Sequence, residues 1–309
     1  MDHRVELDHR SQDVTARLVD TLNKLPGTKL PAELGGGEVA KPLGVIHAGD
    51  IIDTGDKQGT SYREMQKTEW ARFEEEYGLT GRDGRLKWPV YEVHGNHDGP
   101  QGKGVAVDGI RDRNRRRPGV KHISPNGLHY SFDWGPLRLV NLGIVVGSAP
   151  NVPRTRRYEP HGSLDFLNAD LEKHVGTSGR PVVITHHIDL ARNLQPPPEK
   201  HPGPFGEWDP SDVQAYFEAL RPYRVAGIFY GHTHVRNMFR WRGAETAAYE
   251  SDTGLPVFNV DNASHFSNQD QSLYYVAVEG DKLVVREYGT RDRWSTAAWT
   301  PTAWQVALT

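Results

Sequence analysis

The stretch Leu43-Gly44-Val45-Ile46-His47-Ala48-Gly49-Asp50-Ile51-Ile52-Asp53 decides the fold. A short apolar run, too brief for a helix, reads as a buried strand. It breaks at once into Gly49-Asp50, a turn that carries a carboxylate. The same design recurs three times. Residues 90–93 run into Gly95-Asn96-His97-Asp98, 181–184 into Thr185-His186-His187, and 225–230 into Gly231-His232-Thr233-His234. Strand ends in an α/β sheet turn their loops into one crevice, where ligands bind. A carboxylate, an amide oxygen and several imidazoles are therefore expected to converge. In three of the four segments glycine precedes the polar residue, and a missing Cβ lets the backbone turn sharply and come close to an ion.

Outward from these segments, strands and helices alternate. A helix is expected over 11–25, with Ser11 as N-cap, Val14, Leu18, Leu22 and Leu25 at helical spacing, and Pro26-Gly27 as the stop. Further helices are expected over 64–77, 164–174 and 213–220, and a strand over 137–146. The end of the chain reads as strands only, at 257–260, 273–278 and 283–288. The pattern implies an α/β sandwich of two packed mixed sheets flanked by helices, in a single domain over 1–309. Within it, 1–42 is an N-terminal helix and loop, 43–288 the motif-bearing core and 289–309 a C-terminal extension. The Pro-rich run 195–204 reads as a surface loop, and beside it Phe205 and Trp208 either wall a pocket or pack the loop down. The basic run 111–117, Arg-Asp-Arg-Asn-Arg-Arg-Arg, reads as a solvated loop.

Composition narrows the chemistry. The 309 residues include no cysteine, which excludes disulfides and thiolate metal sites, and 15 histidines. Any transition metal must then be held by His, Asp, Glu or Asn, donors that suit Mn, Fe, Zn or Ni. Eight Trp, twelve Tyr and nine Phe supply core material that a disordered chain lacks. A net charge of −3 does not mark a dedicated nucleic-acid binder. No apolar stretch reaches the ~20 residues of a membrane span. The first residues lack a secretory leader's apolar segment. The expectation is a cytoplasmic protein, or a secreted or periplasmic one if a leader was removed.

Gly-Asp-x-x-Asp, Gly-Asn-His-Asp, a strand-ending His and Gly-His-x-His stand in that order between residues 49 and 234. Together they resemble the calcineurin-like metallophosphoesterases, over roughly 43–288. The resemblance implies a four-layer α-β-β-α sandwich and metal-dependent hydrolysis of phosphomonoesters or phosphodiesters by a metal-activated hydroxide. It implies that Asp50 bridges two divalent ions. Asn96, His186 and His232 complete one site, and His234 binds the other ion. His186 is preferred to His187 because the family ligand is usually the first His after the strand. His97 acts on the leaving oxygen, oriented by Asp98, while Asp53 braces its loop.

The family's first motif, Asp-x-His after an initial strand, is missing. Asp2, His3, Asp8 and His9 supply no such pattern. The first metal site is thus left with Asp50 and His234, and one tight ion is expected. A chain lacking the family's first strand explains this. The alternative is a catalytically impaired relative that binds a ligand or partner. The substrate is expected to be a small phosphate ester. His47 and His94 read as buried, hydrogen-bonded side chains, because strand alternation turns one of each adjacent pair away from the site.

Overall fold

The computed structural model describes residues 3–148, 156–194, 206–265 and 269–309, the side chains of 3–11, 193 and 194 excepted. In chain order the elements are α1 (His3–Lys24), β1 (Val45–His47), α2 (Thr60–Tyr77), β2 (Val90–Glu92), α3 (Val105–Arg116), β3 (Val120–Ile123), β4 (Tyr130–Trp134) and β5 (Leu137–Asn141). Then follow α4 (Ser163–His174), β6 (Val182–Thr185), α5 (Pro210–Leu220), β7 (Val225–Tyr230), β8 (Asn237–Trp241), β9 (Thr246–Ala248), β10 (Leu255–Asn259), β11 (Gln271–Glu279), β12 (Lys282–Thr290) and β13 (Ala298–Ala307). The chain is a mixed α/β protein. Its described strands form a two-stranded sheet (β1-β2), an eight-stranded sheet and a three-stranded sheet (β11-β12-β13), where two sheets were expected.

The chain divides into two compact units, where the sequence reads as one domain. One comprises residues 47–70 and 92–259, the other 1–46, 71–91 and 260–309.

The first of these holds the eight-stranded sheet, in the order β3-β4-β5-β6-β7-β10-β8-β9. Its centre, β5-β6-β7-β10, is parallel, and antiparallel strands extend it on both sides. In register, Asn141 faces Thr185, Thr185 faces Phe229, and Tyr230 faces Asn259. The loops after β6 and β7 therefore leave the same edge side by side. The core that fixes these strands includes Val140, Leu142, Val182, Ile184, Ile228, Tyr230 and Val257, closed by Leu167 and Leu171 of α4 and Tyr216 and Leu220 of α5. α5 begins with Asp209 as N-cap, its carboxylate accepting from Ser211 N at 2.8 Å, and Pro210 in the first turn.

The second unit gathers Leu25, Leu30, Leu34 and Val39 against Tyr275, Tyr288 and Trp299, and Val14 and Leu18 against Trp294. β11, β12 and β13 pair antiparallel. Among the described residues no helix is long and apolar enough to cross a membrane.

Several local expectations need correction. Ser11 does not cap a helix, because α1 already runs from His3. Apolar spacing marks only its second half. The run 111–117 is not a solvated loop. It forms the end of α3, with Arg113 and Arg117 buried. Arg113 Nε donates to Glu92 Oε1 at 2.8 Å and Arg117 Nη2 to the same oxygen at 2.5 Å. Burial raises the Glu92 carboxyl, but the two guanidiniums outweigh it and hold the group below its ordinary range. The strand expected over 137–146 ends at Asn141, and β13 lies in what reads as an extension. The Pro-rich loop 195–204 and Phe205 lie outside the described residues. Trp208 packs down. It is 3% exposed and donates from Nε1 to Asp189 O at 2.9 Å.

Candidate metal centre

Four loops supply the site, and two carboxylate–backbone clasps shape it. β1 and β2 deliver the Asp50 and Asn96 loops, with Val93 N bonded to His47 O. Asp98 is fully buried and ties these loops together. Its Oδ1 accepts from Ile51 N and Ile52 N at 2.8 and 2.9 Å, and its Oδ2 from Gly95 N at 2.6 Å. Asp98 therefore does not orient His97. Burial and the neighbouring Asp50 charge push its carboxyl up to about 7, against the backbone donors. The carboxylate beside His97 is Asp56, whose Oδ1 lies 3.5 Å from Nδ1. Asp50 Oδ1, in turn, accepts from His97 N at 2.9 Å.

The glycines act as expected at two positions of three. A Cβ on Gly95 would stand 2.2 Å from Asp50 Oδ1, and one on Gly49 2.6 Å from His187 Nδ1. One on Gly231 would meet only Ala48, at 3.7 Å. Asp50, His232 and His234 all hold left-handed backbone, with φ of 52°, 75° and 54°. Such conformations are costly for non-glycine residues and cluster at functional sites.

The donors converge on His187. Its Nε2 lies 3.0 Å from Asp50 Oδ2 and 3.1 Å from Asn96 Oδ1, and its Nδ1 lies 2.7 Å from Ala48 O. The His232 ring is 5.0 Å away, centroid to centroid. Asp50, His187 and His232 each place a ligand atom within 4.8 Å of the others. Burial opposes charge on both Asp50 and His187, but their mutual attraction prevails. The carboxyl is held well below its ordinary value and the imidazole above its own.

His186 is not brought to this group. It is fully buried, stacked on Tyr230 at 5.5 Å and edge-on to Trp208 and Tyr216. Burial pushes its pKa down to about 3, so it is neutral. His187 takes the place expected of it. The reason is parity: consecutive residues leaving β6 face opposite sides, and the aromatic core claims the first. His234 also lies outside the gathered donors, among the described residues. Asp53 pairs with Lys57 at 3.2 Å. His94 is buried as expected, but neither of its ring nitrogens is hydrogen-bonded.

Sequence reasoning misses Glu207 and Arg192, which border the site. Glu207 Oε1 lies 3.0 Å from His232 Nε2 and 2.9 Å from Arg192 Nη1. Their only sequence signal is charge within an otherwise Pro-rich neighbourhood.

This donor set fits a divalent metal ion. A carboxylate, an amide oxygen and two imidazoles are borderline donors. His187 has its far nitrogen on a backbone carbonyl, the usual support for a metal-binding imidazole. A second group, His122, Asp170 and His174, also has ligand atoms within 4.8 Å. There Asp170 already accepts from Arg138 Nε and Nη2 and from Ser131 Oγ, so its lone pairs are committed.

The fold and this centre define a mixed α/β protein with a candidate metal centre. The model of the calcineurin-like phosphoesterase family matches residues 9–236, well over half of the chain, and the chain belongs to that family. No curated protein matches it. The family suggests metal-dependent phosphoester hydrolysis.

Proposed function

We propose that this chain hydrolyses small phosphate esters at a metal centre held by Asp50, Asn96, His187 and His232. The observation that carries the reading is the convergence of Asp50 Oδ2 and Asn96 Oδ1 on His187 Nε2, at 3.0 and 3.1 Å. A divalent ion bound there supplies Lewis-acid polarisation of the phosphoryl group and an acidified water. His97 stands one residue past Asn96 with its ring partly open to solvent and Asp56 beside it. In this reading its imidazole donates a proton to the leaving oxygen, with the Asp56 carboxylate 3.5 Å from Nδ1 positioned to orient the ring. The backbone N–H of His97 meanwhile holds Asp50 in place.

With His234 outside the gathered donors, one tight ion per chain is expected, and millimolar manganese should raise activity only if a weaker second site fills. The test is turnover of p-nitrophenyl phosphate and bis-p-nitrophenyl phosphate with added manganese, alongside metal content after gel filtration. Turnover that disappears in Asp50→Asn supports the reading. A bound ion with no turnover of either ester supports the catalytically impaired alternative.

A further inference from the structure

Glu207 has no role in the reading above, yet its carboxylate sits against one of the ligands. It is 8% exposed. Its Oε1 is shared by His232 Nε2 at 3.0 Å and Arg192 Nη1 at 2.9 Å, and Arg157 Nη1 lies 3.6 Å away. Among the described residues its Oε2 is buried without a hydrogen-bond partner. A buried carboxylate oxygen left unpaired is costly and asks for a further donor or positive charge nearby.

The surroundings hold this group still. On its C-terminal side, Trp208 is anchored to Asp189 O and stacks on Tyr216, and Asp209 caps α5. Arg192 follows Ala191, whose N–H is held by Asp189 Oδ1 at 2.7 Å, and Tyr230 donates to that same oxygen at 2.5 Å. Both partners of His232 therefore hang on Asp189 and the core beneath it. His232 itself sits on left-handed backbone, a conformation that persists only where the surroundings hold it.

The chemistry follows from hydrogen-bond direction. A carboxylate only accepts, so the 3.0 Å contact from Glu207 Oε1 places the proton on His232 Nε2, while Arg192 Nη1 spends its own proton on the same Oε1 at 2.9 Å. The lone pair then belongs to Nδ1, which is left to face a metal. Arg192, 3.2 Å from Nε2, is held beside the same site with donors to spare.

We propose that Glu207 is a positioning residue with two arms: it fixes the tautomer and orientation of His232 for metal binding, and it tethers Arg192 where the guanidinium meets the anionic oxygens of the phosphate ester. The proposal rests on the reading of Asp50, His187 and His232 as a metal centre.

Calorimetric titration of the metal-stripped protein with manganese and zinc tests the first arm. Glu207→Ala should weaken binding about 10–100-fold, as loss of a carboxylate behind a metal-binding histidine does elsewhere. Glu207→Gln, which keeps shape and an acceptor, should fall between that and wild type and guards against misfolding of the alanine variant. In ¹⁵N NMR of the metal-free protein, His232 should show a protonated Nε2 in wild type and a mixed tautomer in Glu207→Ala. A purely structural role would lower the melting temperature but leave that signature alone. The second arm is read with inorganic phosphate as the probe on the manganese-loaded protein. Arg192→Ala should keep metal affinity within about 3-fold and weaken phosphate at least about 10-fold, the worth of one charge-assisted hydrogen bond. Wild-type metal affinity in Glu207→Ala overturns the first arm, and unchanged phosphate affinity in Arg192→Ala overturns the second. Asp50→Asn separates the two readings: if it too keeps the metal, the centre itself is wrongly placed.

Discussion

His187 stands between two acceptors, with Nε2 3.0 Å from Asp50 Oδ2 and Nδ1 2.7 Å from a backbone carbonyl. With a proton on each nitrogen the ring satisfies both. Exchanging the Nε2 proton for a metal ion leaves the Nδ1 bond intact. Its neighbour in sequence has no such role. His187→Ala should therefore lower metal affinity more than about 100-fold, beyond the effect of losing a supporting partner. His186→Phe should keep the metal and keep or raise the melting temperature, because the buried ring makes no well-formed hydrogen bond. Calorimetry and thermal melts on the two variants check this. Loss of metal in His186→Phe with retention in His187→Ala would reverse the assignment.

Gly95→Ala should abolish metal binding and destabilise the fold by several kcal/mol. The new methyl would overlap the Asp50 carboxylate and backbone, at 2.2 and 2.3 Å, and neither can yield without moving a ligand. Gly231→Ala, with its nearest neighbour at 3.7 Å, should bind metal like wild type. Equal behaviour of the two variants would argue against the close approach of the Asp50 and Asn96 loops.

Glu92 ties α3 to β2 through two buried arginines. Glu92→Gln leaves both guanidiniums with weakened compensation, and such losses cost about 3–5 kcal/mol. The pH dependence has a definite sign. The folded carboxyl is held below its ordinary value, so its contribution is complete above the unfolded value, near 4.5, and is lost as pH falls below it. Melting temperature measured from pH 7 down to pH 3 should drop more steeply below pH 4.5 in wild type than in Glu92→Gln. Parallel curves would deny the pair that role.

His97→Ala should cut kcat by roughly 10²–10⁴, the usual worth of general acid help, with metal content unchanged. Asp56→Asn should give a smaller loss of kcat, because the carboxylate 3.5 Å from Nδ1 is placed to orient the ring. Metal analysis alongside kcat for both variants distinguishes this from a ligand role, for which the metal would be lost with His97.

The strands that end in polar segments were legible because each is a short apolar run broken by glycine or a polar pair, and all four delivering strands appear where the pattern places them. The choice between His186 and His187 was not. β6 is buried on both faces, so hydrophobicity gives no clue to which face carries the site. The basic run 111–117 looked solvated because its partner, Glu92, lies 21 and 25 residues away, and one sequence does not reveal pairing at that range. β3 and β9 went unread because they are only four and three residues long, and β13 because Pro301 interrupts it; in β4 the alternation of Tyr130, Phe132 and Trp134 was there to be read. Glu207 and Arg192 meet only through the fold.

Asp98 gives the centre a property that no list of ligands contains. By clasping N–H groups of Ile51, Ile52 and Gly95, it makes the loops bearing Asp50 and Asn96 one rigid part. Displacements of that part are common to both ligands. The spacing between two oxygen donors is thereby protected from fluctuations that shift either loop as a whole. What remains adjustable is the distance from this part to the two imidazoles leaving the parallel sheet. The tolerance of the centre for ions of different radius is therefore set by the imidazole side, not by the spacing of the two oxygen donors.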